Sequence, residues 1–126
     1  MVTGKTSPLL GATSAALLNA LKYLGGIDSS LDLLPPEIIE PVQDLKVTHL
    51  GNHNPRLHTD ELLIALTICA ATDPNAEIAM QQLNNLAGCE MHSTVILSQV
   101  DVNMMKKLGV NLTCEPVYQS HKLYHK

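Results

Sequence analysis

Phenylalanine and tryptophan are absent from this chain of 126 residues, and three tyrosines are its only aromatics. Aliphatic side chains, leucine above all, must therefore fill the core. Charge is sparse too: 16% of residues are Asp, Glu, Lys or Arg, against about a quarter in ordinary soluble domains. A chain that is 45% apolar with so few charges has trouble covering its own surface. Part of that surface is expected to face another domain or subunit. The eight Lys and Arg residues are scattered and the net charge is -4, which argues against a nucleic-acid footprint. No run reaches the roughly 18 apolar residues of a membrane span; Leu62 to Ala71 comes nearest and Thr67 interrupts it. An apolar leader is missing from the N-terminus, so nothing points to secretion. Cys69, Cys89 and Cys114 are odd in number and widely spaced, which fits reduced thiols in a cytoplasm better than a disulfide framework. In that compartment the sequon Asn111-Leu112-Thr113 is idle. The signatures H-E-x-x-H, C-x-x-C and G-x-S-x-G are all missing.

What is present begins with a decoy. Gly4-Lys5-Thr6-Ser7 has the ending of a phosphate-binding loop, but G-x-x-x-x-G-K-[ST] needs a first glycine five residues earlier, and only three residues precede Gly4. Pro8 would also remove an amide and clash with the preceding turn of any helix begun at Gly4 or Lys5. The stretch reads as a short strand and turn leading into Gly11-Ala12-Thr13-Ser14. Free amides at that helix start can hold an anion, with Lys5 or Ser7 nearby.

The length fits one domain burying about two-thirds of its unfolded surface. From Thr13 or Ser14, either of which can cap, AALLNALKYL has helical apolar spacing and stops at Gly25-Gly26, with Asn19, Lys22 and Tyr23 on its wetter side. Leu31 to Leu34 reads as a short strand. Pro35-Pro36 start a second helix, which Pro41 is expected to kink or restart before VQDLKVTHL runs on to Gly51. GNHNPRLHT is a loop, and Thr59 is expected to cap a helix over DELLIALTICAAT that is apolar nearly all round, hence central and buried on most sides. Asp73-Pro74 is a strong helix start; Ala76, Ala79, Met80, Leu83, Leu86 and Ala87 form its stripe, and Gly88 stops it. CEMHSTVIL is a strand, Asp101 caps a short helix through Leu108, and VNLTCE is a last strand before Pro116. Alternating helices and strands predict an α/β layered domain, helix-rich with a small mixed sheet.

Three clusters carry a chemical reading. In Arg56-Leu57-His58-Thr59-Asp60-Glu61, His58 and Glu61 are spaced to meet on the first helical turn. They could bind a metal or supply a base, although capping and dipole effects explain most of the pattern. Arg56 adds a ligand-binding cation. In Cys89-Glu90-Met91-His92-Ser93-Thr94, the C-x-x-H spacing fails on a strand because residues three apart face opposite ways. Glu90, His92 and Thr94 share a face instead, as a polar site or as hydrogen-bonded structure. The third cluster, His121 and His125 in the tail, has helical metal-ligand spacing but also suits a solvated end.

The runs TGKTSPLLGATSAALLNALKYLGGI, NPRLHTDELLIALTICAATDP, and GCEMHSTVILS followed by KLGVNLTCEPVY together resemble the C-terminal part of a large bacterial family, domain of unknown function 1846. The resemblance covers nearly the whole chain. Since family members are several times longer, it implies a C-terminal piece, or the product of a shortened reading frame. It also implies a cytoplasmic protein and a three-layer αβα subdomain similar to cytidine deaminases. Deaminase activity does not follow, because H-x-E and P-C-x-x-C are absent: His58 is followed by Thr59-Asp60 and His92 by Ser93-Thr94. No cofactor is indicated.

The expectation is thus a single α/β unit over residues 1–126 that contributes to a ligand-binding cleft and to an inter-domain or subunit interface. Its partners would be the rest of the full-length protein or identical subunits, and its ligand a small anion. The ligand-binding candidates are Arg56, Thr94, Thr13, Ser14 and Lys5. The alternative is an enzyme of hydrolase or phosphoryl-handling type using His58, Asp60 and Glu61, or Glu90 and His92.

Overall fold

A computed structural model describes residues 2–94 and 97–114, the last of these by its backbone alone. His121 and His125 lie outside the described residues. The elements run α1 (Ala12–Leu24), α2 (Pro36–Asp44), α3 (Thr59–Ala70), α4 (Pro74–Gln81), β1 (Glu90–Ser93), α5 (Gln99–Lys107) and β2 (Asn111–Cys114). A π-helical turn, Leu45–His49, extends α2, and a 3-10 turn, Leu83–Leu86, follows α4.

Helix α1 buries Ser14, Leu17, Leu18 and Leu21, the i, i+3, i+4, i+7 stripe expected of one face. Gly25 donates its amide to the Leu21 carbonyl, and Gly26, at φ +66, turns the chain away in a conformation side chains disfavour. Leu62, Ala65, Leu66 and Cys69 make the matching stripe on α3. Ala76 and Ala79 of α4, both fully buried, let α4 pack close. Asp73 caps α4 as expected, accepting from the Asn75 amide at 2.9 Å. The strands β1 and β2 pair in parallel, Glu90 opposite Asn111 through Ser93 opposite Cys114, with α5 as the crossover between them. The protein is thus α/β and helix-rich, and its two described strands form a parallel rather than a mixed sheet.

Several local expectations are corrected. Leu31 to Leu34 forms no strand; Leu33 and Leu34 are buried together as loop residues, and Pro35-Pro36 beyond them offer no amide for a ladder. Lys22 is 6% exposed rather than on the wet side, because its ammonium reaches back to the carbonyls of Ser29 and Leu31. The α-helix runs through exposed Pro41 without a restart and passes into the π turn at Leu45. Helix α3 is buried along one stripe, where α1, α4 and α5 contact it, and Ile64 and Ile68 off that stripe are 63% and 61% exposed. The caps also shift by a few residues: His58, with extended backbone, takes the N-cap of α3, and Ser98 takes that of α5.

Candidate functional site

The loop before α3 is held from both ends by polar groups that the fold has buried. Lys46, on the π turn and 4% exposed, donates to the Arg56 carbonyl at 2.6 Å and pairs with Glu61 at 2.8 Å. The same Glu61 oxygen accepts the His58 amide at 2.8 Å, which is half of a capping box. Asp60 accepts the amide of Glu61 at 2.9 Å. Both carboxylates proposed from sequence as a base or ligands are therefore engaged in starting α3.

Leu57, fully buried, ties this loop to the N-terminal segment. Its amide donates to the Leu9 carbonyl at 3.0 Å, and its carbonyl accepts the Gly11 amide at 3.3 Å and the Ser14 hydroxyl at 2.8 Å. Arg56 adds an Nε donation to the Ser7 carbonyl at 2.6 Å. These bonds set the start of α1 beside the start of α3. They also explain Gly4-Lys5-Thr6-Ser7: a side chain on Gly4 would overlap the backbone of Ala15 and Ala16, so the glycine allows the segment to lie on α1. Lys5 remains exposed, and no phosphate loop is formed.

Helix α5 completes the arrangement. Ser98 accepts the Asp101 amide at 3.2 Å. The Asp101 side chain, freed from capping its own helix, crosses to α3. There its Oδ1 accepts both the Thr59 amide, at 2.9 Å, and the Thr59 hydroxyl, at 2.8 Å. A carboxylate from one helix thus satisfies an orphan amide at the start of another. Oδ2 lies 3.8 Å from Nδ1 of His58, too far for a hydrogen bond but close enough to attract an imidazolium.

A cavity of about 290 Å³ opens where these three helices begin. Gly11, Ala12 and Thr13 of α1 line it, as do Arg56 and His58 before α3, Leu97, Ser98 and Asp101 at α5, and Thr6 and Asn54. Of the sequence-proposed residues, Arg56, His58 and Thr13 meet here. Ser14 faces Leu57 instead, and Lys5, Asp60 and Glu61 are not among the lining residues. The second cluster lies elsewhere: Glu90, His92 and Thr94 do not line the cavity. On β1, exposed Glu90 and His92 alternate with Met91, which packs against the core. Nδ1 of His92 is 2.8 Å from the Thr113 hydroxyl on β2. Among the described residues no group of three or more His, Cys, Asp or Glu is placed to hold a metal ion. Sequence reasoning missed Asp101 as a site residue. The signal was Ser98-x-x-Asp101: serine caps, and an aspartate three residues on can then reach outward.

The chain belongs to the family described as domain of unknown function DUF1846, C-terminal, whose model matches residues 1–124. It is 57% identical over all 126 residues to a UPF0371 protein of Streptococcus pyogenes (strain Manfredo), covering 26% of that protein. A UPF0371 protein of Corynebacterium diphtheriae is also 57% identical over 126 residues, with 25% of its length covered. The chain thus spans about a quarter of the length of these relatives.

Proposed function

We propose that this C-terminal unit supplies one wall of a ligand-binding cleft and docks against the rest of a longer family protein or a second copy of itself. The cleft reading rests on one observation: three helix starts and the side chain of Arg56 meet around a single cavity. Helix starts present orphan amides and positive dipole ends, a setting that favours polar ligands. The docking reading is supported by Ile64 and Ile68, both more than 60% exposed on α3. It is also supported by a parallel sheet of only two described strands, since parallel sheets are normally larger and covered on both faces. Completion of that sheet by other parts of the protein would give the three-layer αβα arrangement similar to cytidine deaminases. Free Cys69 and Cys89 fit a reducing cytoplasm. Among the described residues no helix is long and apolar enough to cross a membrane.

Thermal-shift screening of a small-metabolite panel against the chain and its Ala12→Leu variant tests the cleft, because a leucine at Ala12 projects bulk from the start of α1, which lines the cavity. Stabilisation by a panel member that the variant loses is expected. Equal responses in both proteins, or none in either, would refute the cleft.

A further inference from the structure

Resting on that cleft reading, we infer that the α1 side of the cavity is a cradle for a phosphate group, with Thr13 and Arg56 as its side-chain ligands. Helix α1 is 13 residues long and begins at Gly11 without a side-chain cap or an acidic residue in its first turn. The Gly11 amide is taken by the Leu57 carbonyl, and the next bond is that of Ala15 to the Gly11 carbonyl. The backbone amides of Ala12 and Thr13 donate to no described residue, and both residues line the cavity.

The side chain of Thr13 points independently to a ligand. Thr13 is 2% exposed, yet its hydroxyl makes no hydrogen bond to any described residue. No wholly buried side-chain polar atom is unpartnered among the described residues. The Thr13 hydroxyl must therefore keep its residual access to open space, and the space Thr13 lines is the cavity.

Arg56 supplies the charge. Its Nε is anchored on the Ser7 carbonyl, which fixes the guanidinium while leaving both terminal nitrogens without a protein acceptor among the described residues. None of the ion pairs among the described residues involves it. A half-buried arginine held by Nε, lining a cavity and in no ion pair among the described residues, is arranged for a bidentate oxyanion. Asp101 is the one acidic lining residue among those described. Its Oδ1 is committed to Thr59 on the α3 side, so the anion seats on the α1 side. Two amides, a hydroxyl and a guanidinium fork exceed what the two oxygens of a planar carboxylate can accept together. They suit the three terminal oxygens of a phosphate, borne by a phosphomonoester or by free inorganic phosphate.

The test is calorimetric titration of the chain at constant ionic strength with inorganic phosphate, glycerol 3-phosphate and glycerol, repeated with Thr13→Val and Arg56→Lys. Saturable binding of phosphate or its ester is expected, with no binding of glycerol. Tighter binding of the ester identifies a phosphomonoester, and equal binding identifies free phosphate. Thr13→Val should bind about ten-fold more weakly, the worth of one hydrogen bond to a charged group. Without phosphate it should melt no lower than the parent, because its hydroxyl has no protein partner. Arg56→Lys should weaken binding at least as much. If neither anion binds saturably, or if Thr13→Val binds equally well, the cradle is refuted. The cleft reading would still stand if an uncharged panel member binds and Ala12→Leu abolishes that binding.

Discussion

Replacing Asp101 should destabilise this protein more than its place on a helix surface suggests. The carboxylate is 7% exposed and accepts two hydrogen bonds from Thr59, a fully buried residue on another helix. Truncation to alanine strands an amide and a hydroxyl, each costing about 1–3 kcal/mol when buried and unpartnered. It also removes a negative charge from the start of α3, worth about 0.3–1 kcal/mol. Asp101 borders the cavity, so water can replace part of what is lost, and the expected total for Asp101→Ala is about 2–4 kcal/mol. Asparagine keeps an acceptor oxygen and loses the charge, so Asp101→Asn should cost about 1 kcal/mol. Thr59→Val removes the hydroxyl and leaves the amide bonded, for another roughly 1 kcal/mol. Urea denaturation followed by circular dichroism measures all three variants and the Thr59→Val/Asp101→Ala double variant. A coupling of about 1 kcal/mol or more is expected between the two sites. The helix-to-helix account is wrong if Asp101→Ala falls within about 0.5 kcal/mol of the parent, the range of ordinary surface changes, or if the two effects simply add.

Other predictions follow from the same contacts. Lys46→Met removes the ammonium that bridges Glu61 and the Arg56 carbonyl; a loss of about 2 kcal/mol in urea denaturation is expected, and a loss below 0.5 would contradict the bridge. Ile64→Ser with Ile68→Ser should leave stability within about 0.5 kcal/mol while lowering dye binding or self-association in light scattering; unchanged association would show that α3 is not the sticky face. Burial, with a smaller contribution from the Asp73 charge, raises the Cys69 thiol pKa above its ordinary value. In a Cys114→Ser background, Cys89 should therefore react with a disulfide reagent at once and Cys69 only on unfolding. Since the raised pKa delays thiolate formation, Cys69 should stay unreactive in the folded protein as the pH is raised toward 9, and reaction there at the rate seen on unfolding would show that Cys69 is open to solvent.

What could be read from the sequence was whatever is written locally. The stripe Leu17, Leu18, Leu21, the Asp73-Pro74 start and the Gly25-Gly26 stop of α1 need only neighbours within a turn, and the structure contains them; the helix begun at Pro74 ends at Gln81 and not at Gly88. Lys22 and Lys46 escaped because lysine reads as exposed by type. Their burial depends on backbone carbonyls and a carboxylate 7 to 15 residues away. Thr59 and Asp101 are 42 residues apart, and no periodicity connects them. For the candidate site this limit mattered most. The polar residues conspicuous in sequence, Asp60 and Glu61, are tied up in helix starting, because that is what a carboxylate in a first turn does best. Thr13 and Arg56 line the cavity with donors that no described residue takes up. Each is inconspicuous alone, and they face one cavity only because Leu57 binds both sides of the junction. A ligand site of this kind is defined by which donors the fold leaves unpaired, a property of the whole hydrogen-bond network rather than of any stretch of sequence. Disrupting Leu57 should therefore impair the cavity even though Leu57 does not line it. Leu57→Ala, which keeps the backbone bonds and empties a fully buried side chain, should cost about 2–5 kcal/mol. In the fraction that remains folded, phosphate affinity should fall. Retention of full affinity would mean that the α1 wall holds its shape without the Leu57 junction.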